Sequence, residues 1–221
     1  CVFDVTLDCE DGAPVGGEAD HAALVVALVA LASEGARVAV RVHPVDHAAF
    51  GQDVATIAGK VGDRLTHIMV PKVESVRDVE QAVAALDAAD ARQLPLHVLI
   101  ESPAAVHRAF DIAAHPRGQS LSFGLMDFVS AHAGAIASDG MSSAGQFSHP
   151  LVVRAKLEIA AACHAEGKVP SHCVVTEFKH TAALQAAAET AARRHASSKL
   201  LFTPSGSRWC WLVSDAEDCR T

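Results

Sequence analysis

Two acidic residues follow apolar segments in the middle of the chain, and together they could bind a divalent metal ion. Glu101 ends the run LHVLIE, and Asp127 comes shortly after the run SLSFG. If both runs are neighbouring parallel strands, the two carboxylates lie at the same end of the sheet. Magnesium prefers carboxylate oxygens and retained waters as ligands, so Glu101 and Asp127 are the predicted ligands of Mg²⁺, with Mn²⁺ as the alternative.

Charged residues also stand at the predicted ends of other strands. Arg41 lies near the end of the second run, and its planar guanidinium could hold a carboxylate or a developing enolate oxygen by two hydrogen bonds. Lys72 could pair with an acid at the rim or bind a phosphate. Asp8, Glu10 and Asp11 cluster at the end of the first run. From this set Arg41 and Asp11 are predicted to be catalytic, and Arg41, Lys72 and Glu10 to bind substrate.

Composition restricts the classes of protein to which this chain can belong. Half of its 221 residues are apolar, which allows a sizeable buried core. The 18 basic and 26 acidic residues give a net charge of −8, which argues against a nucleic-acid partner. No apolar run approaches the roughly 18 uncharged residues of a membrane span, and no secretory signal is visible. The expectation is a soluble cytoplasmic protein that binds a small molecule and forms a homo-oligomer.

Cysteine and histidine spacing adds no further metal centre. The 6 cysteines match neither a zinc site nor a redox pair, so they are expected to be free thiols in a reducing compartment. The 13 histidines are scattered, without an HExxH or HxH pattern. His149, in the segment QFSHPL, is the histidine of most interest, because it lies between a long loop and the following helix. The ordinary structural explanation for His149 is that it caps a helix or packs in the core.

Apolar runs alternate with helical patterns along the chain, which is typical of a parallel sheet covered by helices. Seven strands are expected, and the helices are expected between them. The strand runs are VFDVTLDCEDG, ARVAVRVHP, THIMVPK, LHVLIE, SLSFG, SHCVVTEF, which ends at Phe178, and KLLFTPSG, which ends at Gly206. The helices are expected at 21–33, 50–59, 76–91, 103–114, 151–165 and 181–195, and a long loop at 127–148.

Seven parallel strands predict a TIM (β/α)₈ barrel that lacks its first strand in this chain, since the chain starts inside an apolar run. An open doubly wound sheet is the alternative, but no Gly-rich phosphate fingerprint follows the first strand. The predicted division is a barrel domain, N-terminally incomplete, over 1–203 and an atypical tail over 204–221.

Five segments in order resemble the HpcH/HpaI aldolase and citrate lyase β-subunit family. They are LDCEDGAPVGGEADHA, similar to the DLEDxV segment; VRVH, similar to VRVN; MVPKVES, similar to PKVES; LIES, similar to IES; and SFGLMDF, similar to FGxxD. The later helix in GQFSHPLVVRAKLEIAAACHAEG resembles the helix that follows the family's metal site. The resemblance runs over residues 3–178.

This resemblance implies a TIM barrel of the phosphoenolpyruvate/pyruvate superfamily and a magnesium-dependent carbon–carbon lyase. The implied substrate is a CoA thioester of a hydroxy acid, of the citryl-CoA or malyl-CoA type, cleaved through an enolate. By position Glu101 and Asp127 match the family's magnesium ligands, and Arg41 matches its substrate-binding arginine. The metal would polarise a keto acid, and Arg41 would help to stabilise the enolate.

Two alternatives stay open at this point. One is a class II pyruvate aldolase that acts on a free hydroxy-keto acid. The other is a catalytically inactive barrel that serves as a subunit or binding protein, which an incomplete barrel and the unusual ending LLFTPSGSRWCWLVSDAEDCRT would suit. In place of this ending the family commonly carries an Ile-His-Pro-x-Gln motif.

Overall fold

The computed structural model describes residues 3–175, 180–194, 198–202 and 208–213, in which eight strands and eight helices are found. The strands are β1 (Phe3–Asp8), β2 (Val38–Arg41), β3 (Leu65–Val70), β4 (Leu96–Ile100), β5 (Gly118–Phe123), β6 (Val169–Val175), β7 (Ser198–Phe202) and β8 (Arg208–Val213). The helices are α1 (Glu18–Leu31), α2 (Phe50–Val61), α3 (Val76–Ala88), α4 (Pro103–His107), α5 (Ala109–Ala113), α6 (Leu125–Ala131), α7 (Pro150–Ala165) and α8 (Thr181–Arg194).

Strands β1 to β6 lie side by side in chain order and are all parallel. This order confirms the predicted parallel α/β architecture, and it does not fit the doubly wound alternative, in which the strand order reverses. β7 continues the parallel arrangement beside β6. β8 is antiparallel to both β7 and β1 and closes the ring of strands. An all-parallel barrel was expected, so the antiparallel closure is a difference from the prediction.

Each strand of the parallel part has two faces with different environments. One face, represented by Val40, Ile68, Val98 and Leu121, belongs to the apolar core beneath the helices. Because side chains alternate along a strand, the other face points into the ring of strands. That inner face is largely polar, and it carries Thr6, His67, His97, Ser120 and Ser122, all of them buried. The apolar runs of the sequence conceal this alternation.

Local signals set the starts of the helices that follow the site strands. Ser75 and Asp78 form a capping box that begins α3. The Ser102 hydroxyl accepts a hydrogen bond from the backbone N–H of Ala105, and Pro103 occupies the first turn of α4. The predicted helix over 103–114 is in fact two short helices, which Arg108 separates.

Several predicted boundaries lie beyond what the structure describes. The ends of the sixth strand at Phe178, of the last helix at His195 and of the seventh strand at Gly206 fall on undescribed residues. β8 lies inside the stretch assigned to the tail, and sequence patterning did not identify it. The proposed boundary at residue 203 stays a prediction. Among the described helices, none has the length and apolarity that a bilayer span requires.

Candidate metal and substrate site

Glu101 and Asp127 come together at the carboxyl ends of β4 and β5. Glu101 directly follows β4 and is 7% exposed, whereas Asp127 lies in the first turn of α6 with a partly exposed side chain. Asp127 was expected at the start of the long loop that follows the fifth strand, and the short helix that contains it is a correction to that expectation. Asp127 is near enough to raise the pKa of Glu101, and both residues line one cavity. One hydrated ion could therefore contact both carboxyl groups.

The environment of Glu101 disfavours its charged form. Burial, the neighbouring Asp127 carboxyl group and the negative charge of Glu10 raise the pKa of Glu101 to about 8, although a backbone N–H opposes the shift. That N–H belongs to Lys72 and donates to Oε1 of Glu101 at 2.8 Å. Lys72 has a left-handed backbone, with φ of 53°. This turn after β3 places its N–H against the carboxylate.

Gly124 provides the space that Glu101 occupies. A Cβ atom at position 124 would lie 2.5 Å from both Cγ and Oε2 of Glu101. No side chain fits there without moving the carboxyl group. Gly124 is also anchored, since its backbone N–H donates to the carbonyl oxygen of Ile100 at 2.9 Å. The glycine in SLSFG therefore has a steric function in the site.

Arg41 is buried at 4% exposure and is held by three acids. Its Nε and Nη2 atoms donate to the two oxygens of Asp8 at 2.7 and 2.6 Å. Nη1 lies 2.7 Å from Oε2 of Glu10, and Nη2 lies 3.5 Å from Oδ2 of Asp11. Burial disfavours the charged guanidinium, but the bonds and charges of these acids outweigh it and raise the pKa of Arg41. Arg41 is thus a permanent, oriented cation.

This arrangement limits how Arg41 could bind a substrate, and its predicted role stays a prediction. The Nε–Nη2 edge of the guanidinium, one of its edges that can make two parallel bonds, is bonded to Asp8. Asp8 was not among the predicted site residues. The signal that could have identified it is the parallel pairing of β1 with β2, which sets Asp8 beside Arg41 in register.

Lys72 connects the acids on both sides of the site. Its Nζ donates to Oε1 of Glu10 at 2.6 Å and lies 3.8 Å from Oδ2 of Asp127. Partial burial disfavours its charge, but the bond to Glu10 and the charges of Glu10, Asp127 and Asp11 prevail and raise the pKa of Lys72. For Glu10, burial outweighs the opposing influence of Arg41 and Lys72, so the pKa of Glu10 is raised. The roles of Lys72, Glu10 and Asp11 with a substrate stay predictions.

Two cavities open around these residues. The first, called the inner cavity, is lined by Arg41, Glu101 and Asp127, with Asp11, Met69, Leu99, Phe123, Gly124, Leu125, Met126 and Val174. The second, called the rim cavity, is lined by Glu10, Asp11, Glu18, His43, His47 and Lys72 beside residues 13–15 and Pro44. Asp11 lines both cavities, so they adjoin at this residue.

The residues of the inner cavity fit a divalent metal ion. Two carboxyl groups at one wall of a cavity provide the hard oxygen donors that Mg²⁺ accepts, and a bound cation would favour the deprotonated form of both. No group of three or more His, Cys, Asp or Glu side chains suited to a metal occurs within the described residues. An ion at Glu101 and Asp127 would therefore complete its coordination with water or substrate.

The remaining predicted features lie elsewhere. His149 is the N-cap residue of α7 and is absent from the lining of both cavities. Cys9, Cys163 and Cys173 are buried free thiols, and the side chains of the other three cysteines are not described. Burial is the main cause that raises the pKa of both Cys163 and Cys173 to about 11. These thiols are poor nucleophiles near neutral pH.

Comparison with known proteins gives one matching family. The model of the HpcH/HpaI aldolase/citrate lyase family matches residues 4–204. An L-malyl-CoA/beta-methylmalyl-CoA lyase of Cereibacter sphaeroides is 33% identical over 148 residues, which is 64% of this chain and 44% of the lyase.

Solved structures agree on the fold. A citrate lyase from Burkholderia xenovorans LB400 superposes with a TM-score of 0.83 at 46% identity, over 91% of this chain and 65% of that one. A citrate lyase beta subunit from Mycobacterium tuberculosis, complexed with oxaloacetate and magnesium, gives a TM-score of 0.71 at 22% identity over 91% and 82%. This chain spans less than half of the malyl-CoA lyase and about two thirds of the Burkholderia protein.

Proposed function

Because the chain belongs to the HpcH/HpaI aldolase/citrate lyase family, we propose that it is a magnesium-dependent carbon–carbon lyase. The proposed substrate is a CoA thioester of a hydroxy acid, of the citryl-CoA or malyl-CoA type. The observation that carries the proposal is the carboxyl pair Glu101 and Asp127 at the wall of the cavity that Arg41 also lines. The likeness to a malyl-CoA lyase supports the thioester class.

In this proposal Glu101 and Asp127 hold the metal ion, and Gly124 leaves room for the Glu101 carboxylate. A bound Mg²⁺ would supply Lewis-acid polarisation of a carbonyl oxygen. Lys72 holds Glu10 on one side and lies near Asp127 on the other, so it keeps the acids of the rim in place. The metal could instead be Mn²⁺, since the same oxygen donors suit both ions.

Arg41 supplies a fixed positive charge where an enolate oxygen would form. Asp8 fixes the orientation of Arg41, so no reorganisation is needed as negative charge develops. The apolar side chains Met69, Leu99 and Val174 line the same cavity. Electrostatic attraction to Arg41 is stronger beside apolar walls than in bulk water.

For the whole molecule we propose the TIM barrel of the phosphoenolpyruvate/pyruvate superfamily as the parent architecture. In this proposal β8 takes the place between β7 and β1 that a parallel strand has in that barrel. A homo-oligomer is also proposed, which the exposed Leu24, Leu28 and Leu31 on one face of α1 support. Light scattering after size-exclusion chromatography tests the oligomer.

The direct test is an assay of this chain with malyl-CoA and with citryl-CoA, in Mg²⁺ and after chelation. Cleavage of a thioester that requires the metal is expected. Cleavage of a free 4-hydroxy-2-keto acid instead would favour the pyruvate aldolase alternative. A chain that is stabilised by Mg²⁺ and acetyl-CoA without any turnover would favour the inactive binding protein.

A further inference from the structure

His43 is held at the end of β2 by a buried carboxylate. Asp53 of α2 is 1% exposed, and its Oδ2 atom accepts hydrogen bonds from the backbone N–H of His43 at 3.1 Å and from ring atom Nδ1 at 2.6 Å. With the proton on Nδ1, the second ring nitrogen Nε2 has a lone pair that can accept a proton. The ring of His47 stacks on that of His43 at 4.3 Å. The imidazole is therefore fixed in both tautomer and plane.

The ring of His43 lines the rim cavity, next to the site of the proposed chemistry. Glu10 and Lys72 line the same cavity, and they contact Arg41 and Asp127 of the inner cavity. The two cavities adjoin at Asp11. A substrate with its keto-acid end in the inner cavity would extend past Asp11 toward His43.

From this geometry we infer that His43, oriented by Asp53, is the acid–base residue of the lyase reaction, an inference that rests on the proposed function. A histidine backed by a buried carboxylate is suited to gain and then return one proton, because the carboxylate stabilises the imidazolium. His43 stands where the similar VRVN segment has asparagine, which cannot do this.

The proton transfers balance within one turnover. Nε2 of neutral His43 takes the proton of the substrate hydroxyl as the carbon–carbon bond breaks. The O–H electron pair becomes the new carbonyl bond, and the electron pair of the broken bond moves to the thioester fragment as an enolate. The imidazolium then gives the same proton to the α-carbon of that enolate, and His43 returns to its neutral form.

Ionisable groups surround His43 on several sides. Asp53 bonds to its ring, and His47 stacks on it. Glu18 of α1, Glu10, Asp11 and Lys72 line the cavity that the ring faces. Cys9 lies near Asp53, and burial raises the pKa of its thiol, so it stays protonated.

The test compares the wild-type chain with His43→Asn, Asp53→Asn and His43→Ala. His107→Asn is the matched control, an exposed histidine of α4 outside both cavities. We expect kcat of His43→Asn to fall about 100-fold or more, with KM little changed. The kcat of Asp53→Asn should fall by a smaller factor. The acid limb of the wild-type pH–rate profile should be absent in His43→Asn. Added imidazole should partly restore turnover to His43→Ala but not to His43→Asn.

Other results would count either against the role of His43 or against the proposed lyase function. A His43→Asn variant with wild-type kcat would overturn the inference, and so would a slow variant that keeps the acid limb, since both leave His43 only a structural role. A wild-type chain without turnover on either thioester would instead overturn the proposed function, and the inference with it. Deuterium uptake from D₂O into the methyl group of acetyl-CoA, with a keto acid present, should follow the same order among the variants.

Discussion

At the scale of single residues, the carboxyl pair Glu101 and Asp127 combines two opposing properties. Burial, together with repulsion between the two carboxylates, raises the pKa of Glu101 to about 8 when no cation is bound. A divalent ion would remove this repulsion, so the same proximity that disfavours the empty pair favours a metal. The positions of both residues were predictable from strand ends. The support from Lys72 N–H and Gly124 was not, because it depends on backbone geometry.

Glu101→Gln and Asp127→Asn should each abolish stabilisation by magnesium. In the wild-type chain a ligand at 100 times its dissociation constant raises the free energy of unfolding by about 2.7 kcal/mol. Differential scanning fluorimetry with and without Mg²⁺ measures this effect as a change in Tm. The exposed Glu34→Gln serves as control and should respond like the wild type. An unchanged magnesium response in both site variants would show that the metal binds elsewhere.

Gly124→Ala should displace the Glu101 carboxyl group, because the added Cβ would lie 2.5 Å from it. We expect a loss of stability of about 1–3 kcal/mol, typical of an overpacked site, together with a weaker magnesium response. The comparison is Gly51→Ala in α2, where a Cβ meets nothing within 4 Å. That variant should be stabilised by roughly 0.5–1 kcal/mol. Urea titration of both variants measures the difference, and equal effects would contradict the steric explanation.

At the scale of elements, β3 and β4 bring two buried histidines into contact on their inner faces. The rings of His67 and His97 lie 4.6 Å apart. Burial is the main cause that lowers the pKa of His67 to about 4, and burial with the charge of His67 lowers that of His97 well below its usual value. Both are neutral in the folded chain near neutral pH. Neutral buried histidines make the stability of these strands dependent on pH.

The free energy of unfolding should therefore fall as the pH decreases from about 6.5 to about 4. Over this interval the unfolded chain binds protons on these histidines, whereas the folded chain does not. The slope of the free energy of unfolding against pH reflects how many more protons the unfolded chain binds. His67→Gln should reduce that number by about one. Urea unfolding at a series of pH values measures it, with exposed His107→Gln as the control. A slope in His67→Gln equal to that of the wild type would contradict the buried neutral state.

The strands and helices show why hydrophobic patterns in the sequence predicted only part of the fold. Long apolar runs revealed β1 to β6 and the helices between them, because hydrophobic burial dominates there. The same runs hid the polar inner face, because single polar residues such as His67 and Ser120 do not break an apolar run. Asp127 was expected in a loop because a helix as short as α6 has little periodicity. β8 was missed because one of its two partners, β1, is remote in sequence, although β7 directly precedes it.

At the scale of the whole molecule, the pairing of β1 with β8 can be tested by a disulfide. Val5 is the register partner of Cys210 across the antiparallel pair. Directly opposed residues in such a pair have Cα atoms about 4.5–5.5 Å apart, within the range of disulfides. Val5→Cys should therefore cross-link to Cys210 under mild oxidation, and peptide mapping under non-reducing conditions detects the link. Val5→Cys combined with Cys210→Ser is the control, and a missing cross-link in the single variant would contradict the register.

The antiparallel closure also affects the order of events during synthesis. β1 lies near the amino end of the described chain and β8 near its carboxyl end, so their hydrogen bonds span nearly the whole sequence. Such distant contacts form late, because the entropic cost of joining remote segments must be met first. Until β8 leaves the ribosome, its pairing with β1 cannot form. Chaperone protection against wrong strand pairing would matter most in that interval.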